Sequence, residues 1–434
     1  MFHRRKSVGA AIVVAATAGT LVLSYSPAEA DFSPQPKDVV STGSDIIQNS
    51  FNFLADGYGA LPGYNTAGNK YRFVNFDSSG DAQGRSAYTD PRLLPTVTGN
   101  GTIGENGVKY VKQSDVKLLN PTISLRAGAD LVVRPSGGSG GGTLALIADN
   151  EENIDVGRTP NPLTGPNQDA ALANLGSKLI RVQIATDRQL IATATATNAP
   201  TNLTAGQILS IYNGTYHTWG DIPGWGTGAV PGSDASKAGE TIIPLILPTD
   251  AGMWTTFVAN VRRQNSLGSD PDLRANSNSY QVQQNDPTAI TGLPDAQRRN
   301  AIVPFPRGRY NVLNKGYYTD PSVTNAYNIE PERTPITAAG LQLLNLSSTV
   351  DDNSPTAAYG GNFAYNAIVR EKDYTSTTPW QPGSTLNWVK ALFYNPGGPA
   401  PFVRTPAGEA LLTAAGVTPD YHVFGTDNVE IPQS

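Results

Sequence analysis

Gly137-Gly-Ser-Gly-Gly141 fits the pattern G-x-S-x-G, in which a serine rides a sharp strand-to-helix turn and its hydroxyl attacks a carbonyl carbon. Ser139 would be that nucleophile. His422, downstream of many aspartates, stands in the chain order such a triad needs. Chance meets the pattern easily here, because the run from Arg134 to Thr143 holds five glycines, two serines and a threonine. The same residues suit a second chemistry. A glycine loop that opens onto a helix start aims several backbone N–H groups at one point, where the helix dipole adds partial positive charge, and so it can hold an anion. A flexible surface loop is the third reading. His422 itself also reads as part of a plain strand, Asp420-Tyr-His-Val-Phe424.

Other chemistries find little support. His217 and His422 have no metal-ligand spacing to each other, so no metal site is expected. The lysine of a phosphate-binding P-loop is missing after the glycines, which speaks against nucleotide hydrolysis. Asp351-Asp352 reads as a solvated turn rather than a calcium loop. Trp219, Trp225 and Trp380 lie among glycines and prolines, where they suit loop packing or stacking on a sugar. No cofactor is implied.

The elements that must position these residues repeat one plan. Ala129–Val133 is a short apolar strand before the glycine loop, and Leu144-Ala-Leu-Ile-Ala148 begins a helix after it. Ser41-Thr-Gly-Ser-Asp45 leads into a helix whose inward face is Ile46, Ile47, Ser50, Phe51 and Leu54, with Ser44 at the N-cap and Gly57 as the stop. Thr241–Leu247 is a buried-type strand that runs into Pro248–Phe257, a third strand-to-loop-to-helix unit. Further strands are expected at 71–76, 153–159, 178–184, 189–194 and 301–305. A helix capped by Thr204 ends at Gly214, one capped by Ser384 ends at Gly397, and one opening at Thr405-Pro406 ends at Gly416. Residues 77–120 are polar and glycine-broken, an excursion with little regular structure. Strands alternating with helices predict an α/β fold with largely parallel sheets.

The N-terminus reads as an export signal: basic Arg4-Arg-Lys6, an apolar run from Val8 to Leu23, and a small-x-small site at Ala28-Glu-Ala30. Residues 1–30 are therefore expected to be removed near Ala30, leaving a secreted protein, extracellular or periplasmic. Loss of three cations and one acid moves the formal charge from −5 to −7, against non-specific binding to nucleic acid or anionic membranes. There is no cysteine, hence no disulfide, thiol nucleophile or lipid attached through a cysteine, and no stable membrane insertion is expected.

Taken in order, the segments Gly43-Ser-Asp45, Arg134–Thr143, Asp155-Val-Gly-Arg158, Asn202–Gly214 with Thr218-Trp-Gly-Asp221, Leu247-Pro248, Gln284–Ala289 and Ala301–Pro304 make the chain similar to the phosphate-binding type of periplasmic substrate-binding protein, above all the secreted actinobacterial variety. The likeness covers most of residues 38–310, and 202–221 is its most specific piece. It implies a two-lobed α/β fold of the type II periplasmic binding class, with a ligand cleft between the lobes. Lobe one would be 31–188 with 312–434, and lobe two 189–311. It also implies binding rather than turnover: capture of a small anionic solute, phosphate or another oxyanion, for hand-over to an ABC permease.

Carried over by that resemblance, the first-lobe donors are Ser44, Ser136, Gly137, Gly138 and Ser139, with Asp155 or Arg158 near a third loop. Asp155 would accept the proton of a protonated oxyanion, or else is an ordinary strand-end acid. The second lobe would contribute Asp250, Gly252 and Thr255. Here the sequence departs from the family: where a Gly-Ser-Gly-Thr core is expected, it has Ala251, Gly252, Met253 and Trp254. Besides the hydrolase, an extracellular adhesion or structural protein that reuses the fold is an alternative.

Overall fold

Leu179 to Ala194 forms one strand of 16 residues, the longest in the molecule's main sheet. The sequence predicts two strands here, 178–184 and 189–194. The three residues that break the apolar pattern, Thr186, Asp187 and Arg188, continue the strand because they pair with Ala364, Phe363 and Asn362, and Thr186 also with Thr418. The computed structural model describes residues 35–75, 101–103, 109–111, 122–124, 131–133, 141–149, 152–247, 251–282, 285, 287–315, 339–346 and 353–432.

Eleven strands make the main sheet. They are β1 (Val39–Gly43), β2 (Phe73–Asn75), β3 (Val156–Thr159), β4 (Leu179–Ala194), β5 (Ile243–Ile246), β6 (Tyr280–Gln281), β7 (Ala301–Pro306), β8 (Leu341–Leu343), β9 (Gly361–Arg370), β10 (Thr418–Phe424) and β11 (Glu430–Ile431). The path through the sheet is β6-β5-β7-β4-β9-β3-β1-β2. At one end β2, β1 and β3 are mutually parallel. At the other β6, β5 and β7 are mutually parallel. Between them β4 and β9 are antiparallel to each other and to the strands they meet, over the register Leu179↔Arg370 to Gln189↔Gly361. The molecule is thus two α/β lobes, each with its own parallel triplet, joined through two crossing strands. The expected lobe boundary at 188/189 falls inside β4. Strand β9 is not among the strands expected from the sequence.

Helices cover the triplets as βαβ connections require. Helix α1 (Asp45–Asp56) follows β1, and α2 (Gly141–Ala148) and α3 (Gly165–Leu175) precede and follow β3. Val39 belongs to the large core with Ile46 and Phe51, whereas Val40 packs with Leu146, Ile147 and Ala171. That alternation along β1 places α1 on one face of the sheet and α2 with α3 on the other. Further along are α4 (Ala205–Tyr212), α5 (Gly252–Gln264), α6 (Arg307–Asn314), α7 (Trp388–Leu392) and α8 (Pro406–Ala414). Thr204 and Thr405 cap α4 and α8 as expected. Ser384 does not cap a helix: its hydroxyl accepts the Leu386 N–H, and α7 starts later, with Asn387 accepting from Lys390 N–H. The asparagine lies three residues before its donor, the spacing a cap needs. Two short strands, Gly101–Ile103 and Lys109–Val111, occur within the polar excursion.

Two glycines let α2 press against the strand ends. A Cβ at Gly142 would lie 2.4 Å from the Arg158 carbonyl oxygen and 2.9 Å from Gly43 Cα. Gly43, at φ +126°, makes room from the other side. Gly142→Ala is expected to cost roughly 1–3 kcal/mol by overpacking, although alanine favours helix. Gly165→Ala, where a Cβ meets nothing within 4 Å, should be close to neutral. Urea denaturation of both variants measures the difference.

Candidate functional site at the apposed strand ends

The carboxyl ends of the first parallel triplet are knitted together by one side chain. Arg158, fully buried at the end of β3, donates from Nη2 to the Gly43 carbonyl (3.0 Å), from Nε to the Ser44 carbonyl (3.3 Å), and from Nη1 to Asn75 Oδ1. The Ser44 N–H donates in return to the Arg158 carbonyl at 3.0 Å. Helices α1 and α2 both start at this edge, so two positive helix ends and a guanidinium share it. Ser44 is the N-cap of α1, as the sequence predicts, yet its hydroxyl makes no capping bond. Its Oγ is buried without a hydrogen-bond partner, and so are Ser41 Oγ and Thr42 Oγ1 on the strand before it. Buried hydroxyls in that condition cost free energy unless something else bonds them.

Asp155 belongs elsewhere. It precedes β3, three residues before Arg158, at the opposite end of the strand. Its Oδ2 accepts the Val40 N–H at 2.7 Å, and Arg370 Nη1 stands 4.0 Å from Oδ1. That is the arrangement of an acid that secures a strand end, and the structure does not bring it together with Ser44. Ser136, Gly137, Gly138, Ser139 and Asp250 lie outside the described residues.

The second triplet ends in the same way. Beyond β5 begins α5, beyond β6 lies Asn285, and beyond β7 begins α6 at Arg307. Gly252 is buried in the first turn of α5. Thr255 is exposed and its hydroxyl donates to the Gly252 carbonyl at 3.0 Å, so it is spent within its own helix. Met253 and Trp254, the departures from the family pattern, are core residues: Trp254 packs on Phe257 with ring centroids 5.4 Å apart, and Gln189 Nε2 holds the Met253 carbonyl at 2.8 Å. Asn285 has left-handed backbone, φ +62°, and both polar atoms of its side chain are buried without partners, as is Arg307 Nε. Arg309 Nε donates to the Asn285 carbonyl at 3.4 Å.

The two sets of strand ends meet at Asp187, in the middle of β4. Its carboxyl accepts the Arg188 N–H (2.7 Å) and, with both oxygens at 3.0 Å, the Gly308 N–H in the first turn of α6. Tyr365 Oη on β9 lies 3.1 Å from Asp187 Oδ2 and 2.9 Å from the Ile46 carbonyl in the first turn of α1. One residue on each crossing strand therefore touches a helix start, Asp187 that of α6 and Tyr365 that of α1. Burial raises the Asp187 carboxyl from its ordinary 3.8 to about 7, against the lowering effect of its hydrogen bonds and of Arg307. Burial, then the Asp187 charge, raises Tyr365 as well. The Tyr365 hydroxyl has one proton to share between two acceptors, the Ile46 carbonyl and Asp187 Oδ2.

His422 sits far along β10, with Nε2 2.9 Å from Asp420 Oδ1 and Nδ1 2.6 Å from Glu430 Oε1. The hydrogen bond to Glu430 is the main cause that raises its pKa. Both ring nitrogens are engaged by carboxylates, which leaves none for a serine. No cluster of three or more His, Cys, Asp or Glu side chains suited to a metal occurs among the described residues.

Asp187, Asn285, Arg307 and Tyr365 are not among the site residues expected from the sequence. The signal for Asp187 was present: an acid and an arginine, side by side, interrupt an otherwise apolar strand pattern.

No protein-family profile and no curated protein matches the chain. Among solved structures it is similar to an ABC-type phosphate transport receptor from Vibrio cholerae (13% identity, 64% of this chain and 86% of that one, TM-score 0.36). It is also similar to a phosphate-binding protein from Stenotrophomonas maltophilia (10%, 88% and 90%, TM-score 0.38). A third is a high-affinity periplasmic phosphate-binding protein bound with phosphate (11%, 88% and 90%, TM-score 0.40). With TM-scores no higher than 0.40, these likenesses transfer no residue and no ligand to this chain.

The Asp187 geometry has a pH signature. Unfolded, the carboxyl ionises near 3.8; folded, near 7. Between those values the folded state holds the extra proton, so stabilisation present at low pH is lost as pH rises to 7. Asp187→Asn cannot ionise and is expected to flatten that decline, by up to about 4 kcal/mol. Denaturation midpoints from pH 4 to 8 for both proteins provide the check.

Proposed function

We propose that the protein is an exported, two-lobed solute-binding protein that captures a small tetrahedral oxyanion of the phosphate kind between its lobes. Lobe one would comprise 31–188 and 312–434, and lobe two 189–311. The observation that carries this reading is the meeting of two sets of parallel-strand carboxyl ends at Asp187, one of them bearing the unpartnered, buried hydroxyls of Ser41, Thr42 and Ser44. Ligands of open α/β sheets bind at such carboxyl ends, and helix starts suit anions. Donors there would be neutral hydroxyl and N–H groups with guanidinium support, a set that binds an anion and offers no activated nucleophile. The glycine loop with Ser136, Gly137, Gly138 and Ser139 would add backbone donors ahead of α2. The ligand would close the lobes on each other about the crossing strands, and an ABC permease would receive it. Among the described residues no helix is long and apolar enough to cross a membrane.

Calorimetry with phosphate and sulfate, beside a chromogenic ester assay, tests the reading. Oxyanion binding without ester turnover is expected. Ser44→Ala should weaken phosphate binding roughly tenfold or more, the worth of a hydrogen bond to a charged group. A hundredfold excess of phosphate over Kd should add about 2.7 kcal/mol of stability. Ester turnover abolished in Ser139→Ala, or no heat with either anion, would overturn the proposal.

A further inference from the structure

We propose that Asp420, His422 and Glu430 form a pH-operated clasp, which fastens β11 to the main sheet while the imidazole carries two N–H groups and releases it when one is lost. The inference does not rest on the oxyanion reading and needs no ligand. Strand β11 has two residues, Glu430 and Ile431, paired with Phe424 and Val423 of β10. A ladder that short holds a chain end weakly, so side chains decide whether it stays. His422 Nδ1 lies 2.6 Å from Glu430 Oε1, and its Nε2 lies 2.9 Å from Asp420 Oδ1. The second Asp420 oxygen, Oδ2, accepts from Gln183 Nε2 at 2.8 Å. Gln183 is the β4 residue paired with His422. One imidazole therefore links β11 through β10 to the crossing strand β4.

Counting protons gives the switch. A carboxylate only accepts, a neutral imidazole has one N–H and one bare nitrogen, and an imidazolium has two N–H groups. With a carboxylate oxygen against each ring nitrogen, the imidazolium alone satisfies both. A neutral ring keeps one bond and turns a lone pair on the other acid. Asp420 is also held by Gln183, whereas Glu430 is exposed and sits on the two-residue strand, so Glu430 is the partner that leaves. The other charged groups nearby are engaged elsewhere. Arg181 on β4 stacks on the Phe424 ring, 3.4 Å from its centroid, and attracts Glu430. Asp427 in the turn before β11 accepts the Val429 N–H at 3.0 Å. The bond to Glu430, aided by that to Asp420 and opposed by desolvation, raises the imidazole above its ordinary 6.5. The folded chain thus keeps a proton that the unfolded chain sheds. The clasp is complete below pH 6.5 and is lost as pH rises through the folded value.

Glu430→Gln is the test variant. A glutamine there can accept from an N–H or donate to a bare nitrogen, so it serves either state of the ring. Glu430 is exposed, so the fold should survive the change, and amide protection in β1 serves as the control. Imidazole nitrogen resonances, assigned with His422→Gln, and amide-exchange protection factors are followed by NMR from pH 5 to 9. In the wild type His422 is expected to titrate above 6.5. Protection of Glu430 and Ile431 should fall roughly threefold across that titration, the scale of an exposed ion pair, while β1 stays unchanged. In the variant His422 should titrate lower, and β11 protection should no longer follow it. A wild-type His422 that titrates at or below 6.5, or one that Glu430→Gln leaves unmoved, would overturn the clasp. So would β11 protection that ignores the wild-type titration or follows it equally in the variant.

Discussion

A carboxyl group buried at the midpoint of a 16-residue strand governs the geometry of this molecule. Asp187 is out of water, and an acid in that position must find donors or keep its proton. It finds the Gly308 N–H at the start of one helix and the Tyr365 hydroxyl, which in turn reaches the start of another. The approach is only possible because residue 308 is glycine: a Cβ there would lie 2.8 Å from Asp187 Oδ2. A few hydrogen bonds on the two crossing strands thus reach the starts of both α1 and α6.

Each lobe uses the same construction, a parallel strand that ends in a turn and a helix start, but fills it differently. In the first, glycines 43 and 142 bring backbone to backbone, and Arg158 ties three strand ends together. The buried hydroxyls of Ser41, Thr42 and Ser44 remain without partners in the protein. In the second, the start of α5 has turned inward. Met253 and Trp254 belong to the core, where Tyr212, Phe257 and Tyr359 surround them, and Gln189 anchors the turn to the crossing strand. At the neighbouring strand ends Asn285 and Arg307 have buried side-chain atoms without protein partners.

Local chemistry was legible in the sequence wherever neighbours along the chain decide the outcome. The period of apolar residues and the glycine stops located α1, and its N-cap at Ser44. Thr204 and Thr405 announced their helices because a cap acts within three residues. The alternation of strands and helices was enough for the α/β class, and the order of segments for the resemblance. Where two local signals competed, as at Ser384 and Asn387, the pattern placed the helix too early.

Pairing partners were not legible, because they lie hundreds of residues apart. Nothing local says that Asp187 will meet Gly308 and Tyr365, that Arg158 will bond Gly43 and Asn75, or that the strand 361–370 exists to carry Tyr365 inward. The same limit explains Asp155, whose neighbours in sequence suggest a site and whose strand end lies opposite to it. The sequence by itself determined which segments fold into strands and helices, since those are set by short-range periodicity and capping. Only the tertiary structure decided which polar groups are spent on each other and which remain without a partner, because desolvation and hydrogen-bond satisfaction depend on what packing brings alongside.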